Sequence, residues 1–114
     1  MHDIADLIAW TEKKYQIKCP PILWTASRPM SRDSETDGVY IEEGDGFILL
    51  WSGTENPEFL FLHEYWHHIY AVLDIPDPLE NEGQIDKRAK IDLYHYHAEK
   101  MRDFEEKLIR EESG

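Results

Sequence analysis

The stretch His63-Glu64-Tyr65-Trp66-His67 sets two imidazoles four residues apart, with a carboxylate directly after the first. On a helix, positions i and i+4 share a face at roughly 6 Å. Both rings can then offer a nitrogen to one ion at the ~2.0–2.1 Å that zinc takes. Glu64 falls one step round the helix, beside such an ion and not on it. From there its carboxylate can take the proton of a water that the metal has acidified. The plainer alternative is an ordinary helix, with His63 and His67 paired to carboxylates at a core edge and Glu64 in solvent. His68 points about 100° away from His67 and is not expected to join the pair.

The surroundings favour the chemical alternative. Asn56 can cap a helix, Pro57 suits its first position, and Glu58 adds a negative charge to the first turn. The helix is expected to run to about Leu73, ahead of Asp74-Ile75-Pro76. Apolar residues 59–62 and 69–73 flank the histidines, and imidazoles buried among such neighbours need partners. A metal is one efficient partner. The pattern is HExxH, which zinc metallopeptidases carry on a helix.

A catalytic zinc holds three protein ligands and keeps one open position. Downstream candidates for the third ligand are Glu80, Glu82, Gln84, Asp86, Asp92, His95 and His97. Ile85, Ala89, Leu93, Tyr96, Met101, Phe104 and Leu108 recur every three to five residues and define the expected inward stripe of a final helix. Glu82 and Asp86 extend that stripe, whereas Glu80, Gln84, Arg88 and His95 fall on a more polar face. Buried carboxylates need partners, so Glu82 is expected on the metal and Asp86 on the far N–H of a metal-bound histidine. Tyr65, Tyr70, Tyr94, Arg88 and His95 remain open as groups that could steady a developing oxyanion.

Residues 81–86 read NEGQID, a form NExxxD that resembles the glutamate-helix signature of the gluzincins. The wider EGQIDKRA, residues 82–89, is similar to the E-x-x-A-D-x-x-A pattern of the CAAX prenyl protease and HtpX group, without the membrane helices of those enzymes. Residues 39–70 resemble the strand, strand and HExxH-helix stretch of the ImmA/IrrE-like proteins. The chain therefore resembles the minimal soluble gluzincins (minigluzincins) or the ImmA/IrrE-like peptidases. The resemblance implies a zincin-like α+β domain, zinc on His63, His67 and Glu82, Glu64 as general base, and a peptide or protein substrate. It also admits a metal-binding regulatory or antirepressor-type protein of the same fold that cuts little.

The remaining elements must position these groups. Residues 2–16 carry Ile4, Leu7, Ile8, Thr11 and Tyr15 at helical spacing, and Cys19-Pro20-Pro21 is expected to stop that helix. Strands are expected at 22–26, 39–42 and 47–51, with Gly44 and Gly46 in a hairpin connector. The polar stretch 27–38 reads as an exposed loop. The fold expected is one α+β domain over residues 1–114: an N-terminal helix, a three-stranded mostly antiparallel sheet, the HExxH helix and a long C-terminal glutamate helix. A substrate is expected to pair along Phe47–Trp51 as an edge strand. The final helix, residues 78–112, would span roughly 50 Å, more than the width of a globule this size. Its end is expected to project or to pair weakly with a second copy through Met101, Phe104 and Leu108.

Charge and composition bound the partners. Twelve basic against 24 acidic residues leave a net charge of −12, which argues against nucleic acid or an anionic membrane as partner. The surplus of carboxylates suits a basic substrate as well as a solvated surface. A single cysteine, Cys19, permits no intrachain disulfide. Together with the lack of a signal-like N-terminus and of any membrane-length apolar run, this points to the cytoplasm.

Overall fold

A computed structural model describes residues 3–31, 33–75 and 82–113. Helix α1 (Ala5–Tyr15) buries Leu7 and Thr11. It ends before the prolines, at Gln16, whose φ of 57° is left-handed and whose N–H bonds the Glu12 carbonyl at 2.9 Å. The prolines instead keep the following segment extended as it enters β1 (Ile22–Thr25).

The polar stretch expected to be loop alone contains a small antiparallel ladder, β2 (Met30–Ser31) against β3 (Ser34–Glu35). Next come β4 (Gly38–Ile41) and β5 (Phe47–Trp51), joined through Gly44 and Gly46, whose φ values of 59° and 83° favour glycine. The main sheet has the order β1-β5-β4, with β5 parallel to β1 and antiparallel to β4. Phe47–Trp51 is thus the middle strand, not an edge. Ile48 and Leu50 are fully buried, and a strand that carries the core's apolar residues gains most from neighbours on both sides. The free edge beside the helices is β4.

Helix α2 (Pro57–Val72) starts where Pro57 places it, but Asn56 makes no side-chain cap. The Thr54 hydroxyl accepts the Asn56 N–H at 3.2 Å instead, and the Asn56 carbonyl accepts from Leu60 N–H at 3.0 Å. Phe61, Leu62, Tyr65, Trp66, Ile69 and Tyr70 are buried on α2, so this helix is apolar over about half of its circumference and lies between the sheet and helix α3 (Glu82–Ser113). The described helices are three and the fold is mixed α+β, ending in the long helix that the sequence leads one to expect. The expected helix start at 78–81, with Glu80, lies outside the described residues. No helix among the described residues is long and apolar enough to cross a membrane.

The inward stripe of α3 differs from the expected one. Ile85, Ala89, Asp92 and Tyr96 are buried, while Leu93 is only partly so and Met101, Phe104 and Leu108 are exposed. Asp92 is the acceptor that ties three helices together. It takes the Tyr15 hydroxyl at 2.6 Å, the Trp66 indole N–H at 2.9 Å and the Lys14 ammonium at 3.2 Å. Asp92→Ala should lower stability by about 2–4 kcal/mol, since Tyr15 and Trp66 would each keep a donor without an acceptor at roughly 1–3 kcal/mol apiece. Urea unfolding measures this. A loss below about half a kcal/mol, as for an ordinary surface change, would mean that solvent replaces Asp92 freely.

Candidate metal centre

Two adjacent helices build the site. On α2, His63 and His67 stand about 40° apart around the axis, at 100° per residue, and their ring centroids are 5.1 Å apart. Across from them, Glu82 in the first turn of α3 places one carboxylate oxygen 3.0 Å from His63 Nε2 and the other 3.1 Å from His67 Nε2. Asp86, one turn further along α3, lies 3.0 Å from His63 Nδ1. Both rings are largely shielded, at 16% side-chain exposure, whereas Glu82 and Asp86 are nearly half exposed at 46% and 45%. The two carboxylates therefore sit on the flank of α3, not on its buried stripe. The reason is geometric: α2 lies beside that flank, so the imidazoles reach the carboxylates from the side.

These residues could hold a metal ion. His63, His67 and Glu82 each offer one donor atom, all within 4.8 Å of one another. Three donors at ~2.0–2.1 Å from a tetrahedral ion lie roughly 3.3 Å apart, and here the two histidines stand 3.0 and 3.1 Å from separate oxygens of Glu82. Both ring nitrogens of His63 face carboxylates; with a metal on Nε2, Asp86 would hold the N–H on Nδ1. His68, though adjacent to His67, faces elsewhere. Burial pushes its pKa down, against a smaller upward pull from the Lys18 carbonyl. Its Nε2–H donates to that carbonyl at 3.1 Å, which leaves Nδ1 to accept the Tyr40 hydroxyl at 3.0 Å.

Glu64 stays outside the donor set and is only 6% exposed. Burial pushes its pKa up, while His67, His63 and a hydrogen bond from the Tyr40 backbone N–H pull it down. The edge strand thus holds the carboxylate in place. Register explains why that amide is available. Trp51 N–H bonds the Asp37 carbonyl at 2.8 Å, so alternate residues Val39 and Ile41 face β5, and Gly38 and Tyr40 turn their backbone groups to the free side.

The other candidates fall away from the site. Glu80 lies outside the described residues. Gln84 and His95 are exposed, and His97 pairs with Glu58 at 3.2 Å. Tyr65 is fully buried with its hydroxyl donated to the Ile17 carbonyl, Arg88 stacks on Trp66, and Tyr94 is 73% exposed. Tyr70 alone of the five open candidates lines the recess beside His67. The thiol of Cys19 is pushed up to about 12, chiefly by burial and then by Glu12, so it is no nucleophile near neutral pH. The group that sequence reasoning missed is Tyr40; Asp92, a candidate third ligand, instead binds Tyr15, Trp66 and Lys14. Tyr40 acts on Glu64 through its backbone, which leaves no trace in residue type.

No protein-family model, curated protein or solved structure matches the chain.

Proposed function

We propose that this protein is a zinc-dependent peptidase of gluzincin type, with His63, His67 and Glu82 as the metal ligands and Glu64 as general base. The observation that carries this reading is Glu64: a buried carboxylate, fixed by a backbone amide beside the two histidines and left out of the ligand set. Two histidines and one carboxylate also suit iron in oxygenases, but such a site has no use for a further buried base. Zinc, when bound, would polarise a carbonyl and lower the pKa of a water. Glu64 would take the proton from that water and return it to the departing amine. A lone cysteine with a raised pKa is at ease in a reducing cytoplasm.

The substrate is proposed to lie along β4, an edge strand on whose outer side no strand pairs, where it would displace the Thr36 hydroxyl from the Gly38 carbonyl and Glu64 from the Tyr40 N–H. A substrate carbonyl that takes the Tyr40 N–H would free Glu64 for the water. Beside His67 lies a recess of about 300 Å³ lined by Tyr40, Glu42, Tyr70 and Asp74. Among the described residues neither Glu42 nor Asp74 has a basic partner. The two carboxylates favour a Lys or Arg side chain next to the scissile bond.

The test is digestion of a mixed peptide library by the zinc-loaded chain, with products read by mass spectrometry. Cleavage should stop with a chelator and favour peptides with Lys or Arg beside the cut. In Glu42→Gln/Asp74→Asn that preference should fall about tenfold, the factor that 1.4 kcal/mol carries. A preference unchanged in the double variant would remove the recess from recognition. Stoichiometric zinc with no cleavage of any peptide or unfolded protein would favour the metal-binding regulatory reading.

A further inference from the structure

Helix α3 continues well past the body that it helps to build. Trp10 bonds Glu99, and Lys100 reaches Asp6 at 2.9 Å; every residue from 99 to 111 is exposed. The protein measures 57 × 31 × 24 Å, and the long dimension reflects this projection. The part beyond residue 100 runs only to Ser113, about the ~12–15 residues at which an isolated helix is no more than marginally stable in water. It nonetheless shows Met101, Phe104 and Leu108 to solvent at 64%, 63% and 43% exposure. A partner surface would answer both problems.

The spacing of those residues identifies the partner. Steps of three and then four are the a, d, a positions of a heptad. At 100° per residue, this seam points roughly 120° away from the inward face formed by Ile85, Ala89, Asp92 and Tyr96. The flanking charges then select the arrangement. Lys100 and Lys107 occupy the g positions and Glu105 the e position. In a parallel pair, Lys100 of each chain faces Glu105 of the other. In an antiparallel pair, lysine would face lysine and glutamate glutamate. The existing Lys100–Asp6 pair is exposed on both sides, and such pairs hold little; to reach Glu105, Lys100 would also leave the Tyr96 ring, 5.1 Å away.

We infer that the projecting end of α3 forms a parallel, in-register two-stranded coiled coil with a second copy of this chain. The seam is short, well below the ~1,600 Å² of a standard interface. Association is accordingly weak and reversible, as for interfaces below standard size. The inference is independent of the metal and of any peptidase activity.

Sedimentation equilibrium of the full chain, from low to high micromolar concentration, tests it. The mass should rise from one chain to two. Phe104→Glu should stay monomeric throughout; because Phe104 lies outside the core, its near-ultraviolet and metal-binding signals should be unchanged. Glu105→Lys should weaken association about tenfold or more, and Lys100→Glu/Glu105→Lys should restore it. Orientation has its own readout: in a Cys19→Ser background, Leu108→Cys should oxidise to a linked dimer, since position 108 meets its own copy only in the parallel pair. A single-chain mass at every concentration overturns the inference, as does a Phe104→Glu chain that still dimerises. A dimer that forms with no linkage through position 108 overturns the parallel arrangement.

Discussion

Glu64→Gln lowers peptide turnover by about 10²–10⁴-fold, the usual contribution of a general base, and leaves zinc bound at wild-type stoichiometry. The amide oxygen can still accept the Tyr40 N–H that holds Glu64, so the side chain should stay in place. It cannot accept the proton of a water. Because Glu64 is not among the donor atoms of the site, the metal has no reason to leave. Steady-state kinetics paired with metal content by mass spectrometry reads both halves. Unimpaired turnover would remove Glu64 from the chemistry, and lost zinc would place it among the ligands.

The second large effect concerns the ligands. His67→Ala and His63→Ala should abolish stoichiometric zinc, since each removes a donor from a set of three and an alanine offers none. Glu82→Gln should follow, because a neutral amide oxygen is a poorer ligand for a dication than a carboxylate. Asp86→Ala should cost roughly 10–100-fold in affinity, the range for an outer partner that orients a ligand. Gln84→Ala should change little, as Gln84 is exposed and about 200° round α3 from Glu82. Competition against a fluorescent zinc chelator gives the ranking. Metal binding is coupled to folding, so the same order should appear in how far zinc raises each variant's melting temperature. A larger loss for Asp86→Ala than for Glu82→Gln would interchange their roles.

What could be read in the sequence was local. His63 and His67 share a face because i and i+4 do so on any helix, and Pro57 with the apolar runs around the motif marked that helix unambiguously. Glu82 and Asp86 were found for a partly mistaken reason. Both were placed on the buried stripe of α3, whereas they stand half exposed on its flank. The true stripe passes through Asp92, which an apolar pattern steps over in favour of Leu93. An acid earns a buried position only through its donors, here Tyr15 and Trp66 from two other helices. Strand order was equally out of reach. That β5 lies between β1 and β4 depends on a parallel pairing across some 25 residues, and alternation within a strand says nothing about its neighbours. With β5 assigned to the edge, the contact of β4 with Glu64 stayed hidden. Asn56 shows the same limit at short range: the residue type suits a cap, but Thr54 makes the bond.

All of this rests on one ion held by three side chains from α2 and α3. Diffraction from crystals of the zinc-loaded protein, collected on both sides of the zinc absorption edge, examines that directly. The account predicts one anomalous peak at full occupancy, bonded to His63 Nε2, His67 Nε2 and a Glu82 oxygen, with Asp86 on His63 Nδ1 and Glu64 unligated. A peak that lacks Glu82, one that takes Glu64 as a ligand, or no peak at the two histidines would contradict it.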